Sequence, residues 1–154
     1  MKMTLRLYGT LLLTVALCSP LAARQFISIS ATGCKWSGGI AGMHGDIYTF
    51  VFSLPRSCAP DSVWISGEKN AIAVVVADIR SPQPGANARA TSVKGRTRYE
   101  LNIKVSHDSY GMEAPTNGGR RFNGVALISY KCDGKTSYGL IKKLTKTLPP
   151  LSYP

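Results

Sequence analysis

The sequence predicts an all-β fold, a single-domain antiparallel β-sandwich or barrel that follows an N-terminal signal peptide. Three observations carry this reading. Short runs of β-branched and aromatic residues recur along the chain, Gly, Pro, Asn and Asp separate them, and no stretch beyond the leader has an amphipathic helical period. With 154 residues and 44% hydrophobic content, the chain has material for one core and no need of a second.

The leader is "MKMTLRLYGTLLLTVALCSPLAA". Lys2 and Arg6 open it, the apolar run "LLLTVAL" follows, and small residues close it at Ala22 and Ala23, the layout of a secretory signal over residues 1–23. A retained membrane anchor is the alternative, but residues 7–23 are short for a span and contain Pro20. No transmembrane segment is expected in the mature chain. The expected location is therefore secreted or periplasmic, with a domain over residues 24–148 and a Pro-rich tail, "PPLSYP", over residues 149–154, frayed or extended.

Within the domain, "QFISIS" reads as a strand, with Phe26, Ile27 and Ile29 among polar residues, and "DIYTFVFSL" as an aromatic and β-branched one. "SVWIS" and "AIAVVVADI" flank "GEKN", a hairpin-like turn. Residues 71–79 are assigned to a strand and not a helix, because three consecutive valines and two isoleucines lose rotamer freedom in a helix. "RSPQPGANARATS" has two prolines and a glycine and reads as a loop. "VKGRTRYELNIKVS" resumes extended structure, "HDSYGMEAPTNGGRR" is a second loop, and "FNGVALISYKCDGKTSYGLIKKL" is two strands about "DG".

Residues 34–48, "CKWSGGIAGMHGDIY", collect a cysteine, a tryptophan, four glycines and one of two histidines. The glycine spacing matches neither a phosphate-binding loop nor a dinucleotide fingerprint. The stretch therefore reads as a bend whose glycines reverse the chain, with Trp36 packed against the body of the domain.

Export permits disulfides. Without Cys18 three cysteines remain, Cys34, Cys58 and Cys132, so one bridge and one leftover thiol are expected. Their spacing fits no zinc pattern. Cys34 and Cys58 flank the first predicted hairpin and form the favoured pair, with Cys132 free.

Candidate chemistry is sparse. Met43 beside His44, and His107 near Met112, would suit Cu(I) if the two loops met, since thioether and imidazole are soft ligands. Copper is thus the alternative cofactor, with no cofactor as the first expectation. A blue-copper site fails, because no histidine follows Cys132. A small secreted enzyme is a third reading: no "G-x-S-x-G" elbow singles out a serine, and a free thiol near His107 is the main nucleophile to consider. No catalytic residue is assigned.

Charge is more informative. Residues 24–79 carry four basic and four acidic residues, whereas residues 80–154 carry thirteen basic against four acidic. Within the second half, Lys94, Arg96, Arg98 and Lys104 alternate with Val93, Thr97, Tyr99, Leu101, Ile103 and Val105, so one strand face is cationic and the other is core. Arg120, Arg121, Lys142 and Lys143 would extend that face if their strands are neighbours. A solvated face that deters edge pairing is the bland alternative. The functional expectation is a binding or interaction protein whose cationic face contacts an anionic partner: a glycan, a lipid surface or an acidic protein. Nucleic acid is disfavoured, because aromatic residues do not interleave with the basic ones as a stacking platform requires.

The segment "ISYKCDGKTSYGL" resembles the cysteine hairpin of small periplasmic lysozyme inhibitors. The likeness is confined to that hairpin, and the basic charge of this chain departs from what binding a basic lysozyme requires, so no site is carried over.

Overall fold

The computed structural model describes residues 25–38, 43–68, 71–76, 86–107 and 120–153, and their regular structure is entirely β. The signal-peptide assignment to residues 1–23 lies outside the described residues. Ten strands follow one another: β1 (Ile27–Ser37), β2 (His44–Pro55), β3 (Cys58–Ile65), β4 (Ile72–Val76), β5 (Ala86–Val93), β6 (Arg96–Ser106), β7 (Ala126–Cys132), β8 (Lys135–Ile141), β9 (Lys146–Thr147) and β10 (Leu151–Ser152). No helix among the described residues is long and apolar enough to cross a membrane.

The strands lie in the order β10-β1-β2-β6-β5-β4-β3-β7-β8, with β9 also on β1. This single path curls into a half-barrel. Phe26, just before β1, stacks on Phe52 of β2 at 5.2 Å and on Tyr130 of β7 at 6.0 Å, so one ring touches both ends of the path. Gly139 of β8 lies directly under the Phe26 ring, where a Cβ would overlap it. Inside the curl, Phe50, Phe52 and Leu54 of β2, Val63 and Ile65 of β3, Leu101 and Ile103 of β6, and Ile128 and Tyr130 of β7 are buried in one cluster. The alternation expected for β6 is present: Tyr99, Leu101, Ile103 and Val105 are buried, and their neighbours from Arg98 to Ser106 are exposed.

The sheet is not wholly antiparallel as expected. β4 pairs with β5 in parallel, and so do β9 and β10 with β1, so the tail is extended and docked along the first strand. β5 is a strand where a loop was expected. Its inward residues are Ala86 and Ala88, small side chains that fit against Ile103 and Leu101 of β6 and leave none of the bulky alternation that marks a strand in sequence.

Among the described residues, two turns have both central residues at positive φ, the requirement of a two-residue hairpin of the type I′ kind. One is Asp133 and Gly134 (φ 49° and 78°), between β7 and β8, as expected for "DG". The other is Lys94 and Gly95 (φ 40° and 81°). Lys94 is therefore at a hairpin tip and not on a strand face, because the chain reverses between Val93 and Arg96, which pair with each other.

The disulfide joins Cys58 to Cys132, not Cys34 to Cys58. Cys58 and Cys132 face each other in the β3–β7 ladder with Cα atoms 4.2 Å apart, within bridging distance. Cys34 pairs with Ile47 of β2, in a different part of the sheet, and is buried as a free thiol. The glycine-rich stretch is a hairpin nonetheless. Ser37 pairs with His44, and the Gly38 N–H donates to Met43 O at 3.1 Å. Trp36 folds over Gly45 and donates from Nε1 to Val105 O at 3.1 Å; a Cβ on Gly45 would collide with that carbonyl.

Candidate functional site

The outward face of β5 and β6 carries the candidate site. Register places Arg98 opposite Thr91 and Glu100 opposite Arg89, and these four with Val93 line a shallow groove of about 240 Å³. Arg89 and Arg98 are both exposed, and neither enters an ion pair among the described residues. A guanidinium has a planar fork of donors that matches a carboxylate or phosphate, so two of them beside a threonine hydroxyl can hold one anion, with Glu100 limiting how much negative charge the groove accepts. Arg89 was missed by sequence reasoning. Its signal was the alternation Arg89, Thr91, Val93 running into the "KG" turn, obscured by the prolines upstream.

The other expected cations are dispersed. Lys94, at the hairpin tip, adds positive charge at the end of the groove. Arg96 is half-buried: its Nε donates to Ser53 Oγ at 2.9 Å, and one Nη donates to Ser53 O at 2.9 Å and Gln25 O at 2.6 Å. It ties β6 to β2 and to Gln25, two residues before β1. Lys104 shares the face of Arg98 but is six residues along β6, about 20 Å away. Between them lie Glu100 and a Thr49–Asn102 hydrogen bond of 2.8 Å. Arg121, Lys142 and Lys143 are exposed at other points of the chain.

Lys104 and Arg120 have a common setting. Lys104 Nζ lies 3.8 Å from the Trp36 ring centroid and 5.5 Å from that of Tyr153. The Arg120 guanidinium lies 4.5 Å from the Tyr138 ring and 5.4 Å from that of Trp64. Each tryptophan is thus capped by one cation and one tyrosine, an arrangement that orients the cation and shields the indole. Trp64 Nε1 is buried with no hydrogen-bond partner.

The two histidines meet. The His107 backbone N–H donates to His44 O at 3.0 Å where β2 begins and β6 ends, and the two rings are 6.0 Å apart between centroids. His107 Nε2 lies 2.8 Å from Asp46 Oδ2, and Nδ1 lies 3.6 Å from Glu68 Oε1. Tyr48 is close by. Burial, then the charges of Asp46 and Glu68, push its phenol above the usual value. Met43 is exposed beside His44, and Met112 lies outside the described residues. Among the described residues, no three His, Cys, Asp or Glu side chains are grouped to hold a metal ion. Comparison with protein-family models, with curated proteins and with solved structures gives no match.

Proposed function

We propose that the protein is a secreted or periplasmic binding protein that holds an anionic partner on the outward face of β5 and β6. The observation that carries this reading is the pair Arg89 and Arg98: two exposed guanidinium groups in one groove, with no ion-pair partner among the described residues. The Cys58–Cys132 disulfide is compatible with an oxidising compartment. The test is salt-dependent retention on a carboxylate matrix. Arg89→Glu with Arg98→Glu is expected to elute at clearly lower salt, while Lys35→Glu with Lys135→Glu, exposed cations outside the groove, changes net charge equally and elutes close to the parent. Equal shifts for the two double variants would remove the groove from the assignment.

Copper handling is the second reading. The observation favouring it is the meeting of His44 and His107, with Met43 adjacent. Equilibrium dialysis against Cu(I) separates the readings: stoichiometric metal, lost in His44→Ala with His107→Ala, supports this one, and its absence removes it.

A further inference from the structure

Exposed apolar side chains are not spread evenly over the molecule. Of the eight large hydrophobic residues exposed among the described residues, five belong to β1 or to the tail docked on it: Ile27, Ile29, Leu148, Leu151 and Tyr153. Register puts four of them on one face, since paired residues of a ladder point to the same side and residues two apart along a strand do so as well. Ile27 pairs with Ser53, and Ser53 with Arg98, so Ile27 shares the outward face of β6. Thr32 and Trp36 share it too, through Thr49 with Asn102 and Gly45 with Ser106. Their parallel partners follow: Lys146 is opposite Thr32, and Leu151 is opposite Trp36. Leu148 and Tyr153, two residues further along each tail strand, return to the same side, and their N–H groups donate to Gly33 O and Ser37 O. The Tyr153 ring accordingly meets that of Trp36 at 6.4 Å.

Cations stand among these apolar groups. Lys146 is two residues from Leu148, and Lys104, on the same face of β6, holds its ammonium 3.8 Å from the Trp36 ring centre and 5.5 Å from that of Tyr153. No Asp or Glu occurs in β1 or in residues 134–154. The stripe runs about 30 Å from Ile27 to Trp36, at about 3.3 Å per residue. A second copy of the chain is a poor occupant, because a two-fold interface sets a patch against itself and Lys104 and Lys146 would meet only cations. A folded protein partner buries a continuous apolar centre inside a polar rim, whereas here ammonium groups and aliphatic side chains are interspersed along the stripe. That mixture suits the boundary between water and hydrocarbon. Each aliphatic group enters the acyl region where it stands, each lysine stretches to the phosphates, and a tyrosine places its ring inside and its hydroxyl at the headgroups. Anionic lipid supplies the countercharge.

We propose that the outward face of β1 and its docked tail is a docking surface for a bilayer containing anionic phospholipid, with Ile27, Leu148, Leu151 and Tyr153 entering the headgroup boundary and Lys104 and Lys146 on the phosphates. The surface centres on β1, across β2 from the groove of β5 and β6, and it stands or falls independently of the anion site there.

The probe is vesicles of phosphatidylcholine with and without phosphatidylglycerol, mixed with the oxidised protein and read by co-sedimentation. Binding is expected to require phosphatidylglycerol and to weaken with salt. Lys146→Glu and, separately, Leu148→Ser with Leu151→Ser are each expected to weaken it about tenfold, with circular dichroism checking that both remain folded. All chains compared share one N-terminus, so any affinity of the leader is common to them. Tyr153→Trp in an otherwise unaltered chain locates the contact. Its emission is expected to shift to the blue on phosphatidylglycerol vesicles and to be quenched by brominated acyl chains, whereas that of Val93→Trp, beside the groove, stays as in solution. Unchanged affinity in either tail variant, or emission of Tyr153→Trp that ignores the vesicles, overturns the proposal. Quenching of Val93→Trp in place of Tyr153→Trp, with binding lost in Arg89→Glu with Arg98→Glu, moves the lipid to the groove: this proposal falls and the anion site stands. Full vesicle binding by that arginine variant, together with its loss of retention on the carboxylate matrix, supports two separate surfaces. Binding to polyglutamate with none to vesicles marks a protein contact and also overturns the proposal.

Discussion

Replacing Cys58 and Cys132 together by alanine removes a cross-link between residues 74 apart in sequence. In the chain-entropy model, freeing a denatured loop of that length costs about 4 kcal/mol. A domain of this kind is stable by about 5–15 kcal/mol in all, so the loss is a large fraction of the total. Equilibrium urea unfolding, followed by tryptophan emission and far-ultraviolet circular dichroism without reductant, measures it. With a slope of about 2 kcal/mol per molar, the midpoint is expected to fall by about 2 M, and the slope to steepen because the uncrosslinked denatured chain exposes more surface. Cys34→Ala is the internal comparison. That thiol is buried but unbridged, so its removal is expected to cost about 1 kcal/mol and to leave the slope unchanged. Peptide mapping without reduction should recover Cys58 joined to Cys132. Equal losses for Cys34→Ala and the double variant, or a midpoint that does not move in the double variant, would refute the reasoning.

Gly45→Ala places a Cβ against Val105 O and 2.6 Å from Trp36 Nε1. The Trp36–Val105 hydrogen bond must open, at an expected cost of about 2–3 kcal/mol, read as a lower melting temperature with red-shifted emission; an unchanged emission maximum would contradict the packing described. Asp61→Asn tests the pair with Lys131, whose ammonium donates to the carboxylate at 2.7 Å and holds that carboxyl below its ordinary value. A depressed folded value means that the pair stabilises the native state at neutral pH, and that this contribution disappears as pH falls through the depressed value. The variant should therefore be slightly less stable than the parent at pH 7, by little because both groups are partly exposed, with the gap closing below about pH 4. A gap that persists in strong acid would show that hydrogen bonding to a neutral side chain, and not charge, is responsible.

How much was readable in advance depended on whether neighbours in sequence carried the signal. The β6 face and the "DG" hairpin were readable, since alternation and turn chemistry are local properties. β5 was not, because Ala86 and Ala88 owe their burial to the large residues of β6 opposite them and not to their own hydrophobicity. The parallel pairings of β9 and β10 with β1 join residues more than a hundred positions apart and leave no local trace. The same division runs through the site. Arg98 was identified from its strand face. Arg96 has the same sequence parity, yet the carbonyls of Ser53 and Gln25 draw its guanidinium into the fold. The settings of Lys104 and Arg120 depend on Trp36 and Trp64, which belong to distant strands. The disulfide was misassigned for a related reason: proximity along the chain favoured Cys34, whereas strand order decides which cysteines face each other.

The docking of β9 and β10 on β1 has a consequence for how the molecule comes together. One of the earliest strands in the chain is flanked, on the side away from β2, by some of its last residues. Until Lys146–Thr147 and Leu151–Ser152 arrive, that flank of the eleven-residue strand is open at Thr32–Gly33 and Trp36–Ser37, the residues they pair with. Such an edge can recruit the equivalent strand of another molecule. Assembly is then a contest between an intramolecular step, independent of concentration, and an intermolecular one that grows with it. If these short strands dock last, refolding yield is expected to fall as protein concentration rises, read as light scattering after dilution from urea.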